Sequence, residues 1–119
     1  MKINSEAILN RLIHDGYIKI INREDREFWF DEYEDDSMFI EDFWSEINKS
    51  SCEGNAIALV IQRALFHECV KRGCEIKIKF FASARPEGTL LVESVDSLIF
   101  SGDTSRESFI LAYQKVVGI

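Results

Sequence analysis

Long apolar runs are missing from this sequence. The longest, Ala56 to Ile61, falls well short of the roughly 20 apolar residues that cross a bilayer, so it reads as part of a buried helix and no membrane association is expected. The opening Met1-Lys2-Ile3-Asn4-Ser5-Glu6 has no continuous apolar stretch of the kind a secretory signal needs. Cysteine is scarce and odd in number at three, which argues against a disulfide framework and for a reducing, cytoplasmic setting. One proline and six glycines exclude a low-complexity or linker-rich chain. Two histidines leave few general bases, and there is neither a Gly-x-Ser-x-Gly elbow nor a glycine-rich phosphate loop. No enzyme activity, no catalytic residue and no cofactor is expected, and a small-molecule ligand is not foreseen.

Positive charge is also short, at 14 Lys and Arg against 21 Asp and Glu, for a net charge of −7. The imbalance is local. From Glu24 to Glu46 eleven carboxylates face one basic residue, Arg26, a local charge of −10 that leaves +3 for the rest of the chain. Seven aromatics run through the same stretch: Phe28, Trp29, Phe30, Tyr33, Phe39, Phe43 and Trp44. Charge runs are usually solvated faces, and a solvated face has no need of these aromatics. A surface that grips a basic partner uses both, because carboxylates steer the encounter and buried aromatics anchor it. Direct nucleic-acid binding runs on phosphate neutralisation by Lys and Arg, so this balance argues against it.

At 119 residues the chain is sized for one domain, 1–119. Ala7, Ile8, Leu9, Leu12 and Ile13 form a helical stripe over Ser5 to His14, closed by Gly16. Tyr17 to Ile21 predicts a strand, Asn22 to Asp25 a hairpin loop, and Arg26 to Tyr33 the return strand. Alternation then puts Phe28 and Phe30 toward the core and Trp29, Asp31 and Tyr33 on the opposite face. Glu34, Asp35 and Asp36 are expected to leave that strand, with Asp36 or Ser37 capping a helix that runs to about Asn48. Ser50 and Glu53 have capping-box spacing before a long helix to Arg72, centred on Ile57, Val60, Ile61, Ala64, Leu65 and Cys69. Glu75 to Phe81 alternates as a strand, Arg85 to Gly88 is a turn, and Thr89 to Phe100 reads as one strand with a bulge near Ser94. A second capping box at Thr104 and Glu107 precedes a helix with Phe109, Ile110, Tyr113, Val116 and Val117 inward. The order α-β-β-α-α-β-β-α predicts an α+β domain with a four-stranded antiparallel sheet packed against helices.

Metal chemistry is not expected. Asp31, Tyr33, Asp35, Asp36 and Asp42 would occupy calcium-loop positions 1, 3, 5, 6 and 12, but the ligand at 3, the glycine at 6 and the glutamate at 12 are absent. His67, Cys69 and Cys74 cluster near one helix end without a fourth ligand at zinc spacing, and free cysteines are commonly just core. Glu75-Ile76-Lys77 has the Glu-x-Lys spacing of a metal-dependent nuclease site, yet the nearest acids of the preceding helix are Glu53 and Glu68, and Glu-x-Lys on a solvent-facing strand is ordinary. The residues expected to bind a partner are therefore Trp29, Asp31, Glu32, Tyr33, Glu34, Asp35, Asp36, Glu41 and Asp42, with Trp29 and Tyr33 as anchors and the acids as steering and pairing groups.

No family motif is present. In charge, size and aromatic interleaving the chain resembles bacterial immunity proteins, small cytoplasmic inhibitors that neutralise toxin nucleases. That resemblance implies a basic protein partner, a toxin or nuclease whose substrate-binding cleft must itself be positive. Two alternatives carry the same charge logic. A phage-type mimic of nucleic acid would block a restriction or CRISPR complex, although its carboxylates should then spread at phosphate-like intervals. A homodimer or larger assembly would place the acidic segment of one copy on the Lys77, Lys79 and Arg85 side of another.

Overall fold

The computed structural model of the chain describes the backbone of residues 2–22, 27–30, 33–80 and 88–119, and the side chains of residues 2–19, 41–79 and 88–119. Its elements follow in the order α1 (Ser5–His14), β1 (Ile18–Asn22), β2 (Glu27–Phe30), β3 (Tyr33–Phe39), α2 (Ile40–Glu46), α3 (Cys52–Arg72), β4 (Glu75–Phe80), β5 (Gly88–Glu93), β6 (Leu98–Asp103) and α4 (Arg106–Val117). The protein is α+β. The expected single four-stranded sheet is replaced by two three-stranded antiparallel sheets, β1-β2-β3 and β4-β5-β6, each with its strands in chain order. The chain falls into two compact units, Asn4–Val60 and Met1–Ile3 with Ile61–Ile119.

Each extra strand has a local cause. The run expected as one bulged strand from Thr89 to Phe100 folds back on itself at Ser94 to Ser97. Ser94 N donates to Ser97 O at 2.8 Å, and Ser94 Oγ both accepts from Ser97 N and reaches Ser97 O, each at 3.2 Å. Serine hydroxyls thus make a turn where no glycine or proline signals one. In the acidic stretch, Tyr33 and Ser37–Phe39 pair with β2, which keeps the whole of Tyr33–Phe39 extended as β3. The next helix accordingly begins at Ile40 and ends at Glu46, instead of following a cap at Asp36 or Ser37 and running to about Asn48.

In the unit Asn4–Val60, α1 packs on β1, and α2 on α1 and β3. Asn4 caps α1 by accepting from Ala7 N at 3.2 Å. Ile8, Leu9 and Leu12 of α1, Ile18 of β1 and Phe43 and Ile47 of α2 are buried. At the start of α3, Ser51 Oγ accepts from Gly54 N at 2.9 Å and donates to Glu46 Oε2 at 2.8 Å. Ser51 is therefore the capping residue in place of Ser50, and the carboxylate that engages it comes from α2 and not from Glu53. Gly54 permits this approach, because a Cβ there would run into the carbonyl oxygen of Lys49 and lie 2.7 Å from that of Glu46.

In the other unit α4 packs on β5 and β6. Leu90 and Val92 of the central strand are fully buried, as are Ile110, Ala112 and Tyr113 of α4. Burying each large aliphatic side chain is worth about 1.5–3 kcal/mol. Ser105 caps α4 by accepting from Ser108 N at 3.3 Å, one residue later than expected. Asp103 Oδ1 completes the cap by accepting from Ser105 N at 2.9 Å and Ser108 Oγ at 2.7 Å, and the hydroxyls of Ser105 and Ser108, with the Ser105 backbone N–H, draw its pKa down to about 2.

Helices α1 and α3 end alike. Gly16 (φ 83°) and Gly73 (φ 67°) adopt the left-handed conformation that side-chain-bearing residues avoid. At α1, Tyr17 N donates to Leu12 O and Gly16 N to Ile13 O; at α3, Cys74 N donates to Cys69 O at 2.8 Å and Gly73 N to Val70 O at 3.3 Å. Both are Schellman motifs, in which a residue of the last helical turn and the second residue beyond the helix are brought side by side.

Candidate functional site

The acid-aromatic segment is built from β2, β3 and α2, all within the unit Asn4–Val60. Of the expected partner-binding residues, Asp31 and Glu32 lie outside the described residues, as do the side chains of Trp29, Tyr33, Glu34, Asp35 and Asp36. The backbone nevertheless corrects one expectation. Tyr33 opens β3 and does not end the strand of Trp29, so the two are not alternate residues of one strand. Trp29 pairs with Ser37 and Phe30 with Tyr33 across the β2–β3 ladder. Between those two pairs the register jumps, and Glu34, Asp35 and Asp36 fall in the jump. The acidic triplet is thus carried on an irregular stretch of β3, where ladder pairing is interrupted.

Helix α2 brings Glu41 and Asp42 into its first turn, where carboxylates suit the positive end of the helix dipole. Glu41 is exposed and Asp42 half-buried. Phe43 and Ile47, four residues apart, form the buried stripe of the helix. Trp44 lies about 100° round from Phe43 and is 39 % exposed, on the same side as Glu41 three residues before it. Trp44 is not among the residues that the sequence marks for partner binding. The signal that could have found it is its offset from the Phe43–Ile47 pair.

A second polar cluster lies on the sheet β4-β5-β6. Glu75 is directly opposite Glu93 across the β4–β5 ladder, and Lys77 Nζ reaches Glu93 Oε2 at 2.8 Å. The hydrogen bond and charge of Glu93 hold the Lys77 ammonium above the usual lysine range. Gly73, Glu75, Lys77, Glu93, Ser94 and Val95 line a shallow cleft of about 350 Å³. The sequence offers Glu53 and Glu68 of the preceding helix as the nearest acids, whereas the carboxylate beside Glu75 and Lys77 is that of Glu93 on the neighbouring strand. Glu68 is 4 % exposed and instead accepts from Arg72 Nε at 3.3 Å, with Lys71 Nζ at 3.5 Å. Among the described residues no three His, Cys, Asp or Glu side chains gather as a metal site requires, and no helix is long and apolar enough to cross a membrane.

Comparison with protein-family models, with curated proteins and with solved structures finds no match for the chain.

Proposed function

We propose that this protein is a small acidic inhibitor that binds and blocks a basic protein, in the manner of an immunity protein neutralising a toxin nuclease. The observation that carries this reading is the confinement of a −10 charge and seven aromatics to the 23 residues from Glu24 to Glu46, in a chain otherwise net positive. The exposed Glu41 beside the part-exposed Trp44 supports it, since it sets an anchoring ring next to a steering carboxylate. A basic cleft meeting such a surface gains association rate from the charge and residence time from the rings. Truncating a carboxylate that becomes buried against the partner costs about 2–5 kcal/mol, whereas one at the rim chiefly slows association.

The two-copy reading has less support. Lys77 is already engaged by Glu93 at 2.8 Å, which leaves Lys79 as the described cation of the proposed receiving face, Arg85 lying outside the described residues. A nucleic-acid mimic is also less well supported, because its charge should track a duplex at about 1.7 Å per phosphate instead of concentrating in one segment.

The test compares affinity capture from native lysate by the wild-type chain and by a variant carrying Asp31→Lys, Asp35→Lys and Asp36→Lys. One stoichiometric basic protein, held by the first bait only and losing its nuclease activity on binding, is the expected result. Identical captures by a folded variant would remove the acidic segment from the account.

A further inference from the structure

The structure assigns a redox-active dithiol to the end of α3: we infer that Cys69 and Cys74 close to an intramolecular disulfide by exchange with a small-molecule disulfide. The two residues occupy the paired positions of the Schellman motif at Gly73, one in the last helical turn and one just beyond the helix. Their juxtaposition therefore follows from backbone geometry. The 2.8 Å bond from Cys74 N to Cys69 O, with standard bond lengths, keeps their Cα atoms within about 6.7 Å, inside the roughly 4.4–6.8 Å that disulfides span. At the matching motif of α1 the same two positions hold Leu12 and Tyr17, residue types suited to the apolar contact that often accompanies this helix end. At α3 both positions hold cysteines.

The two sulfurs differ in access. Cys74 is partly exposed, while Cys69 is 3 % exposed. Burial pushes the Cys69 thiol up to about 11, and the neighbouring charge of Cys74 adds to the rise. Cys74 is accordingly the first to react. Its thiolate attacks one sulfur of the oxidised partner, forming a mixed disulfide and releasing one thiol. The Cys69 thiolate then attacks the Cys74 sulfur, forming the Cys69–Cys74 bond and expelling the second thiol. The two protons lost by the protein are taken up by the two released thiols, and the external disulfide is the species reduced. The second step quickens as pH rises, because the thiolate fraction of Cys69 grows.

The experiment uses the full chain carrying Cys52→Ser, so that the third cysteine does not contribute, treated with oxidised glutathione and digested with trypsin without reduction. Lys71 and Arg72 lie between the two cysteines, so cleavage there separates them unless a disulfide joins them. The expected result is a linked peptide pair that reduction splits, with no glutathione retained. Adding Cys69→Ser should trap glutathione on Cys74, and adding Cys74→Ser should leave Cys69 reduced. Retention of glutathione on Cys74 in the parent, with Cys69 still alkylated after denaturation, overturns the proposal. So does recovery of both cysteines as free thiols.

Discussion

Single residues set two conditions on this chain that can be measured separately. Gly54 sits in the first turn of α3, where alanine is ordinarily favoured by close to 1 kcal/mol. Here an added methyl group meets the backbone oxygens of Lys49 and Glu46, so the steric term dominates. Gly54→Ala is expected to destabilise by about 1–3 kcal/mol, seen as a lower urea midpoint, and a rise in the midpoint would contradict the close approach. Asp103 sets a condition on pH. Its carboxylate form is the one hydrogen-bonded, with a folded pKa of about 2 against an ordinary 3.8. The stability it contributes is complete above about 3.8 and is lost as pH falls through about 2. The difference in unfolding midpoint between the wild type and Asp103→Ala should therefore be largest near neutrality and shrink across that window. A difference that stays constant down to pH 2 would show that ionisation is irrelevant to the cap. Asp15 is similar in kind: burial raises its pKa, but hydrogen bonds from Arg11 and His14, with their charges, outweigh burial and leave it below the ordinary value.

Elements differ in how openly the sequence declares them, and the difference is physical. Helix α1 was readable to the residue because Ser5–His14 carries a stripe at helical spacing and a glycine that can turn left-handed behind it. Helix α3 ends as expected at Arg72 for the same reason. Both expected capping boxes fall one residue early, since the reciprocal partners, Glu46 and Asp103, belong to neighbouring elements and leave no mark at the expected spacing. Strand β3 was hidden by Glu34, Asp35 and Asp36, residue types poorly suited to strands, and is extended because its two ends pair with β2. The β5–β6 turn was hidden because serine hydroxyls make it. At the candidate site the charge was legible, whereas the placement of Trp44 needed the packing of Phe43 and Ile47. The helix ends supply a direct test. A Cβ at Gly73 meets nothing within 4 Å, so Gly73→Ala isolates the cost of the left-handed backbone, about 1–2 kcal/mol, measurable by thermal or urea unfolding. A neutral outcome would mean that the end of α3 rearranges.

For the molecule as a whole, the uneven charge defines how a partner would be met. With a charge of −10 concentrated between Glu24 and Glu46, association with a basic partner should slow markedly between low and physiological salt while dissociation barely changes. Glu41→Lys should reduce the association rate and its salt dependence. Trp44→Ala should leave that dependence intact and speed dissociation, by about tenfold if about 1.4 kcal/mol of ring burial is lost. Stopped-flow binding to the captured partner separates the two. Should both variants alter the same rate, steering and anchoring are not divided between these residues.

Both sheets join each strand to the next along the chain, without a crossover. Neither must wait for a distant segment to arrive, so little loop entropy is lost before pairing is rewarded. Refolding after dilution from urea should then be rapid for a protein with six strands among its described residues, on the order of milliseconds to tens of milliseconds, and stopped-flow fluorescence of Trp44 and Trp29 would time it. For a protein whose proposed task is to meet a harmful partner, arrival in folded form is itself a requirement. Nearest-neighbour strand order brings that moment close to the end of synthesis.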